Sequence, residues 1–73
     1  MISGIWEATV GTYHATYAAY EFVHMIKGKI VITPDDGTSS VTVKTGDTFV
    51  VESNFTGTWK IEENVIKHFD CML

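Results

Sequence analysis

The sequence predicts an all-β domain, a small antiparallel β-barrel or jelly roll of about eight short strands. Short runs rich in Val, Ile, Thr and aromatic residues recur at regular spacing, as in sheet proteins. Apolar and polar residues alternate with a period of two over 29–33 and 40–44, which is typical of half-buried strands. Turn signals separate the runs, most clearly the PDDG of 34–37 and the glycine-aspartate pair of 46–47. Closure into a barrel would remove exposed sheet edges.

The predicted strands follow one another without a linker or a second domain. They cover 5–10, 13–19, 21–26, 29–33, 40–44, 48–51, 58–62 and 65–69, and Gly28 is expected to break the chain between the third and the fourth. The segment 15–25, which mixes alanines and aromatic residues, could instead form a helix. It lacks a cap followed by a 3.6-residue periodicity, so a strand is favoured there.

Length and composition indicate one minimal domain, residues 1–73. A chain this short buries roughly 60% of the surface that its unfolded form exposes, so its core is thin. Its residues are 45% hydrophobic and 19% charged, which excludes disorder. Small scaffolds usually need a disulfide, a metal or a partner subunit. Because Cys71 is the sole cysteine, we expect support from a metal or, in preference, from a homodimer.

Charge and hydropathy exclude two classes of partner. The formal net charge is 5 − 9 = −4, and the basic residues are scattered, so no nucleic-acid partner is expected. No apolar stretch approaches the roughly 20 residues that span a bilayer, so no membrane partner is expected either. The start of the sequence lacks the pattern of a signal peptide, and there is a single cysteine; both features predict a cytoplasmic protein.

Two phrases of the chain resemble the two sequence motifs of the cupin superfamily. The first cupin motif has two histidines one residue apart, then a glutamate, and then a glycine after six more residues. His14, Glu21 and Gly28 fit this spacing, and Thr16 stands where the second histidine belongs. The second motif begins at Gly46, and Gly57 stands where its histidine belongs.

Longer phrases resemble a small single-domain cupin subfamily that includes ureidoglycine aminohydrolases and ethanolamine-utilisation cupins. The matching phrases are GIWE (4–7), EFVH (21–24), ITPDDG (32–37), GDTFV (46–50), FTGTW (55–59) and KH (67–68). This resemblance covers nearly the whole chain and implies the cupin jelly roll. Members of the subfamily usually carry an extension before the GIWE-like phrase, so a reduced cupin domain is expected.

The resemblance also implies a divalent metal such as Mn, Fe, Ni or Zn, which metal-using cupins hold through histidines and a glutamate. The chain offers His14 and Glu21 at motif positions, whereas a first-row metal usually takes three or more protein ligands. On a regular strand His24 faces away from Glu21, but a β-bulge after Glu21 would turn it inward. The predicted metal ligands are therefore His14, Glu21 and His24, in a site that is incomplete by motif.

The same region is the predicted ligand-binding site. Glu21 is either a ligand or general acid/base inside the barrel, or an ordinary carboxylate hydrogen-bonded near its mouth. His14 and Thr16 are two residues apart on a strand, so they share a face and are expected to flank Glu21. Tyr17 and Trp59 would add an aromatic wall suited to an apolar or cationic ligand, or would belong to the core.

Residues near the end of the chain are given no part in the predicted site. Lys67 and His68 are expected on a solvated face rather than at a pocket mouth. Cys71 has no neighbouring base in sequence, and a nucleophile needs an activating partner, so it has no predicted catalytic role.

Three functions are compatible with these residues and motifs. The first is binding of a small organic molecule in the barrel, next to a degenerate metal site. The second is a metal-dependent cupin enzyme that acts on a small amide, ureide or sugar-type substrate. The third is a non-catalytic module for self-association or for binding a protein partner. The fold itself does not name a ligand, because one fold serves many functions.

Overall fold

The computed structural model describes residues 2–72, which form six strands in one sheet and no helix. The strands are β1 (Ile2–Ala8), β2 (Gly11–Thr16), β3 (Glu21–Pro34), β4 (Val41–Lys44), β5 (Thr48–Val51) and β6 (Thr56–Cys71). All strand pairs are antiparallel. The prediction of an all-β antiparallel domain is confirmed. A search of residues 2–72 for a helix with the length and apolar character to cross a membrane finds none.

The two long strands β3 and β6 pair along their length at the centre of the sheet. Each joins two of the predicted short strands, so the eight predicted runs lie in six strands. Gly28 does not end a strand, because β3 continues through it with shifts in its pairing register between Met25 and Ile30. A Cβ on Gly28 would lie 2.5 Å from the carbonyl oxygen of Asn64. Only glycine allows this close approach of the two backbones.

The sheet folds over at the register shift near Gly28. On either side of this shift the two halves of each long strand have different neighbours. One half of the sheet has the order β1, β6, β3, β5, and the other has the order β2, β6, β3, β4. Trp59 lies in the second half, yet its ring is 4.6 Å from Lys67 Nζ and 6.4 Å from the ring of Phe49, both in the first half. The inner faces of the two halves therefore pack against each other.

The folded-over sheet is consistent with the predicted β-barrel or jelly roll, although hydrogen bonds do not close it into a ring. Within residues 2–72, the strands at one edge, β1 and β2, do not pair with β4 and β5 at the other edge. These edge strands have four to seven residues, whereas β3 has 14 and β6 has 16. Side-chain packing between the two halves, rather than a continuous ring of hydrogen bonds, holds the fold together.

The core lies between the two inner faces. In β3, alternate residues point inward, as the period of two requires. The buried apolar residues are Val23, Met25, Ile30, Ile32, Val43, Val51, Trp59, Ile61 and Val65. Two charged residues, Glu21 (8% exposed) and Lys67 (3% exposed), are buried beside this apolar cluster.

The predicted turn at 46–47 holds the bulge of β3 in place. The amide of Gly46 donates to the carbonyl oxygen of Met25 at 2.8 Å, and the amide of Thr45 donates to that of Gly28 at 3.0 Å. The amide of Gly28 in turn donates to the hydroxyl oxygen of Thr45 at 3.0 Å. The turn therefore satisfies backbone groups that the irregular pairing leaves free.

We predict that Gly28→Ala destabilises the protein much more than Gly37→Ala. Both glycines have positive φ, +112° and +84°, where a side chain costs about 1–2 kcal/mol. At Gly28 the new methyl group would also collide with the backbone of Asn64 and Val65, whereas nothing lies within 4 Å at Gly37. Urea denaturation of both variants measures the difference. Equal losses of unfolding free energy would show that the close approach to β6 does not matter.

Candidate ligand-binding site

A cavity of about 240 Å³ opens between the two halves of the sheet, at the edge formed by β1 and β2. Its wall combines aromatic side chains with the two buried charges. The aromatic residues are Trp6, Tyr13, Tyr17, Trp59 and Phe69, the charged residues are Glu21 and Lys67, and His14 and Ala15 complete the lining. An apolar cavity with a few fixed polar groups is the usual form of a small-molecule site.

A larger groove of about 640 Å³ lies on the other side of Trp6 and Tyr13, along the junction of β1 with β2 and residues 64–66 of β6. Its charged lining residues, Glu7 and Lys27, are both exposed to solvent. We place the candidate site in the smaller cavity, because only there are charged side chains held in an apolar wall.

Three polar side chains meet at one carboxylate oxygen. Lys67 Nζ lies 3.0 Å from Glu21 Oε2, and the hydroxyl of Tyr17 donates to the same oxygen at 3.2 Å. The side chains of Lys67 and Glu21 are only 4% and 11% exposed. Burial raises the pKa of the Tyr17 hydroxyl, and the negative charge of Glu21 raises it further. Tyr17 is therefore a stable hydrogen-bond donor at neutral pH.

The ammonium group of Lys67 lies between two indole rings. Its Nζ is 4.7 Å from the ring centroid of Trp6 and 4.6 Å from that of Trp59, and the two rings meet edge to face at 79°. Burial lowers the pKa of Lys67, while the nearby Glu21 opposes this change. Such contacts contribute about 2 kcal/mol when they are shielded from water, so the rings favour the charged form.

Strand pairing explains how the sequence brings these residues together. Trp6 of β1 lies opposite Lys67 of β6 and shares its face. Glu21 belongs to the inward-facing set of β3 with Val23 and Met25. The backbone of Tyr17 is tied to the loop before β6, since its amide donates to the Phe55 carbonyl oxygen at 2.8 Å.

The expectation that Lys67 lies on a solvated face is wrong. Lys67 follows Val65 by two residues and precedes Phe69 by two, so the alternation of β6 turns all three toward the interior. A lysine at an inward position of an alternating strand was the signal in the sequence. It gains a partner only because β3 brings Glu21 beside β6, which the sequence alone does not reveal.

Of the five predicted ligand-binding residues, the structure brings three to the cavity wall through their side chains. Glu21, Tyr17 and Trp59 converge there, and the rings of Tyr17 and Trp59 stack with centroids 5.9 Å apart. The side chains of His14 and Thr16 do share a face, as expected, but it is the outer one.

The outward direction of His14 follows from the pairing of β2 with β6 rather than with β3. His14 lies opposite Thr58, while its neighbour Tyr13 lies opposite the inward Trp59. The imidazole of His14 is 57% exposed, and its Nε2 is 2.7 Å from a carboxylate oxygen of Asp35. His14 and Thr16 therefore do not flank Glu21.

His24 also lies on the outer face. The pairing of β3 with β6 is regular from Glu21 to Met25, so the irregularity begins after Met25 rather than directly after Glu21. His24 stays exposed and lies opposite His68 of β6. The structure does not bring the three predicted metal ligands, His14, Glu21 and His24, together.

The side chains present do not fit a metal of the kind that the cupin motifs imply. No group of three or more His, Cys, Asp and Glu side chains in the described part of the chain could hold a metal ion. At Gly57, a Cβ would lie 2.6 Å from the ring of Phe55 and 2.7 Å from the carbonyl oxygen of Thr33, so the histidine of the second motif has no room. The metal site stays a prediction of the resemblance.

The folded-over antiparallel sheet with a cavity between its halves defines the chain as a cupin-fold protein. The sequence agrees, since residues 1–69 match the family described as the EutQ-like cupin domain. The chain belongs to this family. None of the curated proteins matches the chain significantly.

Solved structures of similar fold include proteins of unknown function. A DUF861 family protein of Thermotoga maritima superposes with a TM-score of 0.91 at 28% identity, over 94% of this chain and 77% of that one. A DUF861 family protein of unknown function from Pseudomonas syringae pv. tomato gives 0.83 at 28% identity, over 96% and 30%. The EutQ protein of Clostridium difficile gives 0.83 at 16% identity, over 94% and 53%, so this chain spans about half of it.

We predict that removing one partner of the buried pair costs more stability than removing both. Lys67→Met leaves the carboxylate of Glu21 buried without its cation, which costs about 3 kcal/mol. The double variant Glu21→Gln/Lys67→Met has no buried charge and should recover most of that loss. Urea denaturation measures the free energy of unfolding of each variant.

The pair of Lys29 and Glu62, 3.3 Å apart with side chains 41% and 33% exposed, provides the matched control. Lys29→Met should cost less than about 1 kcal/mol, because solvent screens that pair. A double variant as unstable as Lys67→Met would contradict a mutual dependence of the two buried charges.

Proposed function

We propose that this protein binds a small organic molecule in the cavity between the two halves of its sheet. The observation that carries this proposal is the ion pair of Glu21 and Lys67, which is buried in an otherwise aromatic wall. The pair gives the cavity fixed polar groups that can orient a ligand, and the rings around it offer apolar contact area.

The energetics of buried charge support a binding role rather than a structural one. Replacing a buried ion pair by well-packed apolar residues is often neutral or stabilising. A domain with so thin a core gains little by placing a carboxylate and an ammonium beside its apolar cluster. A role in recognition explains why these charges lie at a cavity and not on the surface.

The wall also contains a polar group without a partner. The indole nitrogen of Trp59 is buried and has no hydrogen-bond partner within residues 2–72. An unsatisfied buried donor costs about 1–3 kcal/mol, and such groups in native proteins commonly meet a water or a ligand.

The proposed ligand is a small, mostly apolar molecule with one polar group. A cavity of about 240 Å³ holds roughly eight units of the size of a water molecule in the liquid. The charges of Glu21 and Lys67 balance, so the cavity offers no net charge to attract a multiply charged ligand. The aromatic rings favour an alkyl or planar group.

We predict that a ligand changes the tryptophan fluorescence of the protein. Both tryptophans of the chain, Trp6 and Trp59, line the cavity, so occupancy alters the surroundings of every indole. Titration with a panel of small alcohols, amides, carboxylic acids, amines and aldehydes measures binding. We expect saturable changes for the members that combine a short apolar group with one polar group.

Two variants separate binding in the cavity from other effects. Ala15→Leu adds bulk to the wall while Glu21 and Lys67 are kept, and it should weaken binding at least about tenfold, which corresponds to 1.4 kcal/mol. Glu63→Gln changes an exposed carboxylate away from the cavity and should leave binding unchanged. A response that survives in Ala15→Leu, or a panel that gives none, would count against the proposal.

We also propose that the chain forms a homodimer through the outer face of the half-sheet β1, β6, β3, β5. Exposed apolar side chains cluster there, namely Ile5, Phe22, Ile26 and Val50, with exposures of 43–58%. Phe22 lies directly opposite Val50 in the sheet. The imidazoles of His24 and His68 lie on the same face, as do the carboxylates of Glu7 and Asp70, and Asp70 accepts a hydrogen bond from Ser3.

A second copy is the occupant that suits this face. A twofold axis brings the same patch of two subunits together, and the facing pair Phe22 and Val50 gives the patch an uncharged centre. A chain with a thin core also gains stability from a partner subunit.

We predict that Phe22→Glu converts the protein to a monomer, because it places two carboxylates at the centre of the proposed contact. Val41→Glu changes a similarly exposed residue in the other half of the sheet and should leave the dimer intact. Sedimentation velocity measures the mass of each species. A monomeric natural sequence, or a dimer that persists in Phe22→Glu, would exclude this face.

A further inference from the structure

Lys67 differs from the other lysines of the chain in both burial and surroundings. The chain has five lysines and no arginine. Lys67 is 3% exposed and faces the cavity, whereas Lys27, Lys44 and Lys60 are exposed and Lys29 is half-buried. An amine in an apolar cavity is less strongly hydrated than one in water, and a desolvated lysine is a typical nucleophile toward carbonyl groups.

Glu21 is placed to move protons to and from this amine. Its Oε2 is 3.0 Å from Lys67 Nζ, within the range for direct proton transfer. Burial lowers the pKa of Lys67, so the neutral amine forms more readily there than on a surface lysine. The hydroxyl of Tyr17 donates to the same oxygen of Glu21 and helps to fix the carboxylate.

We propose that Lys67 forms a reversible Schiff base with a small aldehyde that enters the cavity, and that Glu21 transfers the protons of this condensation. This inference rests on the proposed function, since the aldehyde is a ligand of the same cavity. It adds a covalent bond and a chemical class of ligand to that proposal.

The condensation balances without an additional reactant. The Lys67 ammonium gives a proton to Glu21, and the amine lone pair then forms the N–C bond as the carbonyl π electrons move to oxygen. Glu21 returns the proton to that oxygen. It next takes a second proton from nitrogen and passes it to the hydroxyl, so that the C–O bond breaks and water leaves. The products are a protonated Schiff base, one water and the Glu21 carboxylate.

The surroundings suit this product as well as they suit the free lysine. The protonated Schiff base has one positive charge, as the ammonium does, so it keeps the carboxylate of Glu21 as its counterion. The rings of Trp6 and Trp59, 4.7 and 4.6 Å from Nζ, would face this cation. The remaining aromatic wall accepts the short alkyl or aryl group of the aldehyde.

Reductive trapping tests the inference on the protein as it exists. The protein is incubated near neutral pH with butyraldehyde and cyanoborohydride, and each adduct is counted by intact mass and located by peptide mapping. We expect the first butyl group on Lys67, ahead of the four other lysines and the α-amino group. First adducts spread over those other amines, with Lys67 unmodified, would overturn the inference.

Three variants test whether Glu21 transfers protons during Schiff-base formation at Lys67. Glu21→Gln keeps the size of the side chain but transfers no proton, so modification of Lys67 should slow by about 100-fold, the lower range for general acid-base catalysis. Lys60→Gln removes an exposed amine and should leave the rate at Lys67 unchanged. The double variant Glu21→Gln/Lys67→Met has no buried charge, and it should lose the first adduct while it stays folded by circular dichroism.

A non-carbonyl analogue separates this inference from the proposed function. Butanol has the same chain length as butyraldehyde but forms no Schiff base. If both compounds change the tryptophan fluorescence and Lys67 is not modified, the cavity binds ligands and the covalent inference fails. If neither compound nor the rest of the panel binds and Lys67 is not modified, the proposed function fails with it.

Discussion

The contact of β3 with β6 at Gly28 is the constraint on which the rest of the structure depends. With a side chain at this position the two backbones could not approach, because a Cβ would overlap the Asn64 carbonyl oxygen and the Val65 backbone. The shift of register there lets both long strands turn, so one sheet supplies two facing layers. The core and the cavity lie between these layers. A glycine that the sequence motif marks as a turn therefore determines where Lys67 can meet Trp59.

The open edge of the sheet has a functional consequence. A closed barrel of small strands can be filled by its own side chains. Here β1 and β2 form one edge and do not pair with β4 and β5 at the other edge. The cavity opens between the two halves of the sheet, at the edge of β1 and β2. Short edge strands limit the exposed hydrogen-bonding groups, which reduces the cost of leaving the sheet open. The architecture thus combines a thin core with a cavity that side chains would fill in a closed barrel.

The sequence predicted the fold better than the site, and the reasons are physical. Alternation and turn residues are local, so the positions of most strands follow from them, as does the face that Glu21 shares with Val23 and Met25, while the inward direction of that face was left open. Which strand lies beside which is not local. His14 was expected to flank Glu21, but β2 pairs with β6, and this register turns His14 outward to Asp35. Lys67 was missed for the same reason, since its partner lies 46 residues earlier in the chain.

The chain departs from the cupin motifs in the partner of Glu21, which is Lys67, and this departure determines the chemistry of the cavity. In the motif, the glutamate acts together with histidines around a cation. Here Gly57 and Phe55 close off the position of the second-motif histidine, and the ammonium of Lys67 lies against the carboxylate. The positive charge beside Glu21 thus belongs to the chain itself, on a nitrogen that can form a covalent bond. A carboxylate that would be a ligand in a metal site becomes, beside an amine, a group that accepts and returns protons.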